Sequence, residues 1–375
     1  MKNKTKFIIL FLTFILISSV ILINYRLKNE NDTLDIDLKK KKHINNSQFD
    51  IFETFRGYKL RCDEIFDSVC VFGNGDIICS CRDNSAKKVY GNVYKEKIYN
   101  VFNNKKYVEA RIYMLQNKDS YYCKFIKEEC MFKIKKVNGR EKIRNNIIKS
   151  LVLEPTTECN LRCPGCPATK FNNNKTKWKK RIGTLKYGVV RKIINQTASQ
   201  LNIIRFFNFG EPFLSPDAIK ILKYIKTRNK EDRIEVQTTT NGLPLNKNSI
   251  NEIVKNELLH SIGFAIDGCD QESYQKYRCG GKFKIAFTNM QKMIELRNQL
   301  RKKRPKIYWQ YILFKWNDSD KQITKAKKLA DKLGIEIQFL LTHTNGRSKR
   351  RIISKKNHKI RVTDQIHFEE NKSCE

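Results

Sequence analysis

The sequence predicts an α/β fold: a parallel β-strand and α-helix array, preceded by a small Cys-rich α+β module and an N-terminal transmembrane helix. Three observations predict it. Short β-branched or aromatic runs alternate with longer polar, helix-like stretches between residues 146 and 343. Six of the chain's 12 cysteines gather upstream of that region. One uncharged apolar run lies near the N-terminus. At 375 residues the chain has room for two folded units, since roughly 100–200 residues per domain is usual.

The apolar run, Phe7 to Ile23, has 17 residues and is flanked by Lys2, Lys4 and Lys6 and then by Arg26 and Lys28. As a helix it covers about 25 Å, enough for a thin bilayer. An anchor or a signal peptide is expected, and without a small-x-small site after the run the anchor is favoured, over residues 1–24. Residues 25–54 are polar, mixed in charge and without a period, and read as a tether. The Cys-rich module takes residues 55–145, the strand–helix array 146–343 and a basic tail 344–375.

Six strand-like runs carry the array: Ser150 to Glu154, Ile203 to Asn208, Ile234 to Thr238, Ser261 to Ile266, Ile307 to Leu313, and Ile335 to Leu341. Helices between successive strands imply parallel pairing, as an open doubly wound sheet or as a partial barrel. Both architectures put their chemistry at the carboxyl ends of the strands. The unusual residues fall at such ends. Cys159, Cys163 and Cys166 follow the first strand, Phe209-Gly-Glu-Pro212 the second, Thr239-Thr-Asn-Gly242 the third and Asp267-Gly268 the fourth.

Three thiols in eight positions are one short of a closed zinc site, which takes four N or S ligands, and no second Cys or His pair lies near. A [4Fe–4S] cluster held by three thiolates keeps one iron open to an outside ligand. Three buried or disulfide-bonded cysteines would be the bland alternative.

The stretch Cys159-Asn-Leu-Arg-Cys163-Pro-Gly-Cys166 resembles the cluster motif of the radical S-adenosylmethionine (radical SAM) enzymes. Gly210-Glu-Pro212, the Thr-Asn-Gly at 240–242, Ile266-Asp-Gly268 and Tyr277-Arg-Cys-Gly-Gly281 come in that family's order. The resemblance spans about 150–340 and implies a partial (β/α)6 barrel. It also implies a [4Fe–4S] cluster whose open iron is chelated by SAM, and cleavage of SAM to a 5′-deoxyadenosyl radical. Gly210, Glu211 and Pro212 would meet the methionine amino group. Asp267 would accept from ribose hydroxyls, and Arg278 would pair with the methionine carboxylate. Thr240 and Asn241 join the cofactor-binding set, or form a polar turn and no more. Two positions depart from the family: Gly165 stands where an aromatic residue is frequent, and Ala265 where Ser is frequent.

Upstream, Gly75-Asp-Ile-Ile-Cys79-Ser-Cys81, Gly91-Asn-Val93, Tyr107 to Arg111, and Cys123 and Cys130 resemble the auxiliary-cluster modules called SPASM or twitch, here before the barrel. The resemblance implies a second Fe–S cluster, with Cys79, Cys123 and Cys130 the leading ligands and Cys62, Cys70 and Cys81 competing for the rest. A zinc knuckle or a disulfide-linked domain is the alternative. Cys269 and Cys279 flank the expected barrel mouth, where one could donate a hydrogen or a proton, or both are buried spectators.

A net charge of +37 would ordinarily suggest an anionic partner. The Lys are spread along the whole chain, however, which marks a solvated surface, and no nucleic acid is expected. Low-potential clusters, SAM and a one-electron reductant of flavodoxin or ferredoxin type are cytosolic resources. The catalytic part is therefore expected to face the cytoplasm from a single membrane span, although the Lys-rich N-tail argues for the opposite orientation. The activity implied is a radical SAM oxidoreductase that abstracts hydrogen from a peptide, protein or sugar substrate. The alternative is a non-catalytic, membrane-tethered Fe–S or zinc scaffold.

Overall fold

The computed structural model describes residues 59–79, 83, 86, 88–116, 134–137, 143–144, 146–172, 181–341, 346, 348 and 361–362. The apolar run at 7–23, Cys81, Cys123 and Cys130 lie outside them. Among the described residues no helix is long and apolar enough to cross a membrane. Residues 58–375 form one compact unit.

In chain order the elements begin with β1 (Lys59–Cys62), the one-turn α1 (Asp63–Phe66), β2 (Ser68–Val71), β3 (Asp76–Ile78) and β4 (Gly91–Asn92). They continue with α2 (Ile98–Phe102), α3 (Lys105–Leu115), β5 (Ile134–Val137), β6 (Ser150–Leu153) and α4 (Pro167–Asn172). The repeating part follows: α5 (Tyr187–Thr197), β7 (Ile203–Arg205), α6 (Ala218–Arg228), β8 (Glu235–Thr240), α7 (Lys247–Lys255), β9 (Ser261–Ala265) and α8 (Gln271–Gln275). It ends with α9 (Phe283–Gln299), β10 (Lys306–Leu313), α10 (Asp320–Lys332), β11 (Glu336–Leu341) and the short β12 (Arg361–Val362).

The helices form because their apolar residues recur at helical spacing. Val190, Ile193, Ile194 and Thr197 are the buried stripe of α5, and Ala218, Ile221, Leu222 and Ile225 that of α6. Asn246 and Ser249 cap one another at the start of α7, Asp270 caps α8 and Ser319 caps α10. Strand β8 alternates, with Val236, Thr238 and Thr240 buried.

The sheet runs β12-β11-β10-β9-β8-β7-β6-β2-β3-β4. From β6 to β11 the spatial order is the chain order, and every pair is parallel. A doubly wound sheet would reverse that order at a switch point. Sequential parallel strands with two remaining edges instead fit a partial barrel, and all carboxyl ends share one side.

Two expectations need correction. The second strand-like run ends as a strand at Arg205, not Asn208, because the chain turns there to carry Phe209 to the mouth. The Cys-rich segment does not stand apart at a boundary near 145. Strand β2 pairs parallel with β6, Ser68 beside Ser150 and Val71 beside Leu153, and the antiparallel β3 and β4 extend the same sheet.

Candidate active site at the carboxyl ends of the strands

The loop after β6 carries the three cysteines. It is folded on itself by Cys166 N–H donating to Cys163 O (3.1 Å) and by the Thr169 hydroxyl donating to the same carbonyl (2.9 Å). Between Cys163 and Cys166 the chain turns at Gly165, whose φ of +75° is a left-handed conformation that an aromatic residue would occupy only under strain. The departure noted at this position follows from the turn. Cys163 is buried and Cys159 and Cys166 half-buried. Burial pushes the Cys159 thiol up to about 12, and it raises Cys163 and Cys166 as well.

Glu211 lies against this loop. Its amide donates to Glu158 O (2.7 Å), a contact that requires the glycine before it: a Cβ on Gly210 would stand 2.0 Å from Thr156 O. The Glu211 side chain is 3% exposed. It accepts from the Thr240 hydroxyl (2.6 Å), the Asn241 amide (2.7 Å) and the Phe213 amide (3.4 Å), all neutral donors. Burial pushes its carboxyl up to about 7, against the pull of these hydrogen bonds. Pro212 is buried and opens the short helical turn that follows. Thr240 and Asn241 thus do more than form a turn. Asn241 Nδ2 donates to Asn160 Oδ1 (2.8 Å) and reaches 3.9 Å from Cys159 Sγ.

Asp267 is 0% exposed, one oxygen accepts from the Ile312 amide (2.6 Å) and the other from Arg278 Nε (2.6 Å). So enclosed, the carboxylate orients Arg278, and its contact with a ribose stays a proposal. Burial disfavours the Arg278 cation, but Asp267 outweighs burial and holds the guanidinium well above the usual arginine range. Arg278 Nη1 stands 3.9 Å from Cys163 Sγ.

Sequence reasoning missed an aromatic ladder in the same mouth. Tyr277 packs on Phe314 (centroids 4.6 Å apart) and Phe314 stacks on Trp316 (4.6 Å, 4° between planes), alongside Leu161, Cys163, Ile312 and Leu340. It also missed Glu154 at the end of β6, 0% exposed and ion-paired with Arg181 (3.2 Å). A charged residue closing an otherwise apolar strand was the available signal for Glu154. Arg181 gave none inside a basic run.

The described upstream cysteines, Cys62, Cys70 and Cys79, are not among the residues that pack at this loop. Cys62 and Cys70 are buried, Cys70 packing with Phe72, Ile78 and Val152, and Cys79 is half-buried after β3. Cys269 is a free but buried thiol whose Sγ donates to Gln322 Oε1 (2.5 Å) on α10, and Cys279 is disulfide-bonded. Ala265 is buried.

Among the described residues no three His, Cys, Asp or Glu side chains converge on one ion. A single zinc ion needs its sulfurs roughly 4 Å apart, whereas a cubane binds each thiolate through a different iron. Three thiols spread along one folded loop therefore suit a cubane better than a single ion, and binding iron would remove the protons that burial holds on them.

Comparison with known proteins agrees with this geometry. Residues 153–303 match the Radical SAM superfamily. The chain is similar to a "Probable GTP 3′,8-cyclase" of Methanococcus aeolicus, 30% identical over 41% of this chain and 48% of that protein. It is 26% identical to another of the same name from Methanocaldococcus jannaschii, over 40% of this chain and 46% of that protein. The chain spans about half the length of these curated relatives. Among solved structures it is similar to "Native anSMEcpe with bound AdoMet" (19% identity, TM-score 0.37, 51% of this chain and 50% of that one). A second is "BtrN in complex with AdoMet and 2-DOIA" (20%, TM-score 0.25, 31% and 45%).

Proposed function

We propose, from the match of residues 153–303 to the Radical SAM superfamily, that the chain cleaves SAM reductively and uses the 5′-deoxyadenosyl radical to abstract hydrogen from an organic substrate. Cys159, Cys163 and Cys166 would hold the [4Fe–4S] cluster. Held there, the cluster would supply the one electron, drawn from an external reductant, that reductive cleavage of SAM to methionine and the radical requires.

The observation that carries this reading is Glu211: a buried carboxylate beside the three thiols, hydrogen-bonded only by neutral donors. A buried carboxyl near neutrality is completed by a cation, and the ammonium of methionine supplies one. Arg278, fixed by Asp267 through Nε, offers its remaining nitrogens to the methionine carboxylate on the Cys163 side. The Tyr277, Phe314 and Trp316 ladder gives the mouth a dry wall for the reacting groups.

A peptide, protein or sugar remains the proposed substrate. The two curated relatives favour a second reading, in which the same radical is spent on a purine nucleotide. Anaerobic reconstitution with iron, sulfide and a one-electron reductant, followed by assay for 5′-deoxyadenosine with and without GTP, tests both. Absence of 5′-deoxyadenosine from reduced, iron-loaded protein would leave only the scaffold reading. A membrane tether at 1–24 with the catalytic part in the cytoplasm stays a proposal, which strong activity of a phosphatase fused after residue 50 would overturn. The auxiliary cluster, on Cys79, Cys123 and Cys130 with Cys62, Cys70 or Cys81 completing it, is tested by iron content: no excess over one cubane per chain removes it.

A further inference from the structure

Glu154 lies at the carboxyl end of β6 but touches none of the three cysteines through a hydrogen bond. Its two oxygens are nonetheless engaged from three separate parts of the chain. Oε1 accepts from the Phe209 amide (3.2 Å), two residues before Glu211. Oε2 accepts from the Gly73 amide (3.1 Å), in the turn between β2 and β3. Arg181 Nη2 donates to both oxygens at 3.2 Å. The Arg181 guanidinium in turn lies over the Phe72 ring at 3.5 Å and near the Phe209 ring at 5.2 Å. The backbone repeats the connection, with Glu154 N–H donating to Val71 O at 2.9 Å.

Such a site is expensive to build. A carboxylate 0% exposed and a guanidinium 2% exposed have both lost their water, and a buried ion pair adds little net stability over an apolar pair of the same volume. What a carboxylate does that an apolar side chain cannot is accept from two backbone amides at once and so fix their relative position. One of these amides belongs to the loop that carries Glu211. The other belongs to the turn that joins β2 and β3.

We propose that Glu154 is a positioning residue for the SAM-binding loop: its buried carboxylate sets the backbone at Phe209, and hence Glu211, and through Gly73 and Arg181 makes that setting depend on the N-terminal strands β2 and β3. The inference rests on the SAM-cleaving reading above and adds to it a reason for the extra strands. They brace the cofactor loop, whatever the upstream cysteines bind.

The test uses the full chain, anaerobically reconstituted, with SAM binding read from the change it causes in the EPR spectrum of the reduced protein. E154Q keeps size but presents one accepting oxygen to two amides. Iron and sulfide content should match wild type while SAM affinity falls about tenfold. A merely structural role would lower melting temperature or cluster content and leave the affinity of the loaded fraction unchanged. Hydrogen exchange of the wild-type protein gives a second readout that needs no variant: added SAM should protect peptides covering 70–74 and 206–212 together. Unchanged SAM affinity in loaded E154Q overturns the inference, as does protection confined to 206–212, while the SAM reading survives both. Failure of loaded wild-type protein to bind SAM removes both.

Discussion

The two ends of the parallel strands treat polar side chains in opposite ways. At the carboxyl ends Glu211, Thr240, Asn241 and Asp267 are all at most 4% exposed. Nearby, the side-chain nitrogens of Asn208 and Trp316 and the Ser215 hydroxyl are buried with no hydrogen-bond partner among the described residues. At the amino ends, just before β8, β9 and β10, Asp232, His260 and Arg304 meet with Lys226 in a half-open cluster where Arg304 and Lys226 both pair with Asp232 and His260 Nε2 alone is buried without a hydrogen-bond partner among the described residues. An unanswered buried polar group costs roughly 1–3 kcal/mol, so a fold tolerates several together only where something else completes them. The difference marks the carboxyl end as the place built for a ligand and the amino end as one built to be finished without one.

The largest effect expected at the carboxyl end is that of removing a cluster ligand. Cys163→Ala should remove the iron of one cubane and take 5′-deoxyadenosine below detection. Cys70→Ala, in the apolar packing of β2, should leave cluster content at the wild-type level and cost only about 1–2 kcal/mol in stability. Equal iron content in Cys163→Ala and wild type would erase the distinction between the two sets of cysteines.

Next in size is Glu211→Gln. With the cluster retained, loss of the anionic partner should cut 5′-deoxyadenosine formation at low SAM by about a hundredfold. A smaller loss, or one accompanied by missing iron, would mean that Glu211 serves the loop instead of the cofactor.

The same residue predicts a pH dependence of the cofactor-free protein. The folded carboxyl lies at about 7 against an ordinary 4.5. Stability is therefore fully present below about 4.5, and is lost as pH rises through about 7, because the unfolded chain ionises first. The loss is on the order of 3 kcal/mol. Urea unfolding at pH 5 and pH 8 reads it, and in Glu211→Gln this part of the slope should vanish. No flattening would mean that the carboxyl is not held neutral by burial.

Legibility from sequence divides along the same line. The cysteine loop, the Gly-Glu-Pro turn and the Thr-Asn-Gly turn were visible because each is a short run of distinctive residue types directly after a strand. All six barrel strands were visible for the same local reason. The joining of β2 to β6 was not, since a four-residue apolar run carries no mark of a partner about 80 positions away. The hold of Asp267 on Arg278 was not legible because sequence shows the carboxylate and not the Ile312 amide or Arg278 Nε that it accepts from. Glu154 and Arg181 were passed over, one inside a strand and the other in a basic segment, because their meaning lies in the pair and in the amides of Gly73 and Phe209. The burial of Cys62 and Cys70 was not legible either, since sequence shows the thiols and not their surroundings.

The smallest expected effect belongs to the amino end. Arg304 pairs with Asp232, which also faces Lys226 Nζ at 3.3 Å and His260 Nε2 at 3.5 Å. Asp232 is 37% exposed and Arg304 32%, so water already competes with each pairing and Lys226 can take over when Arg304 is removed. Arg304→Ala should cost less than about 1 kcal/mol in urea unfolding, a cost that shrinks further in high salt. SAM affinity and cluster content should not move. Strand β10 starts two residues beyond Arg304 and ends at the aromatic ladder, so a change in SAM affinity would show strain passing along the strand from one end to the other. That result would break the separation between a finished end and an unfinished one more directly than any substitution in the mouth itself.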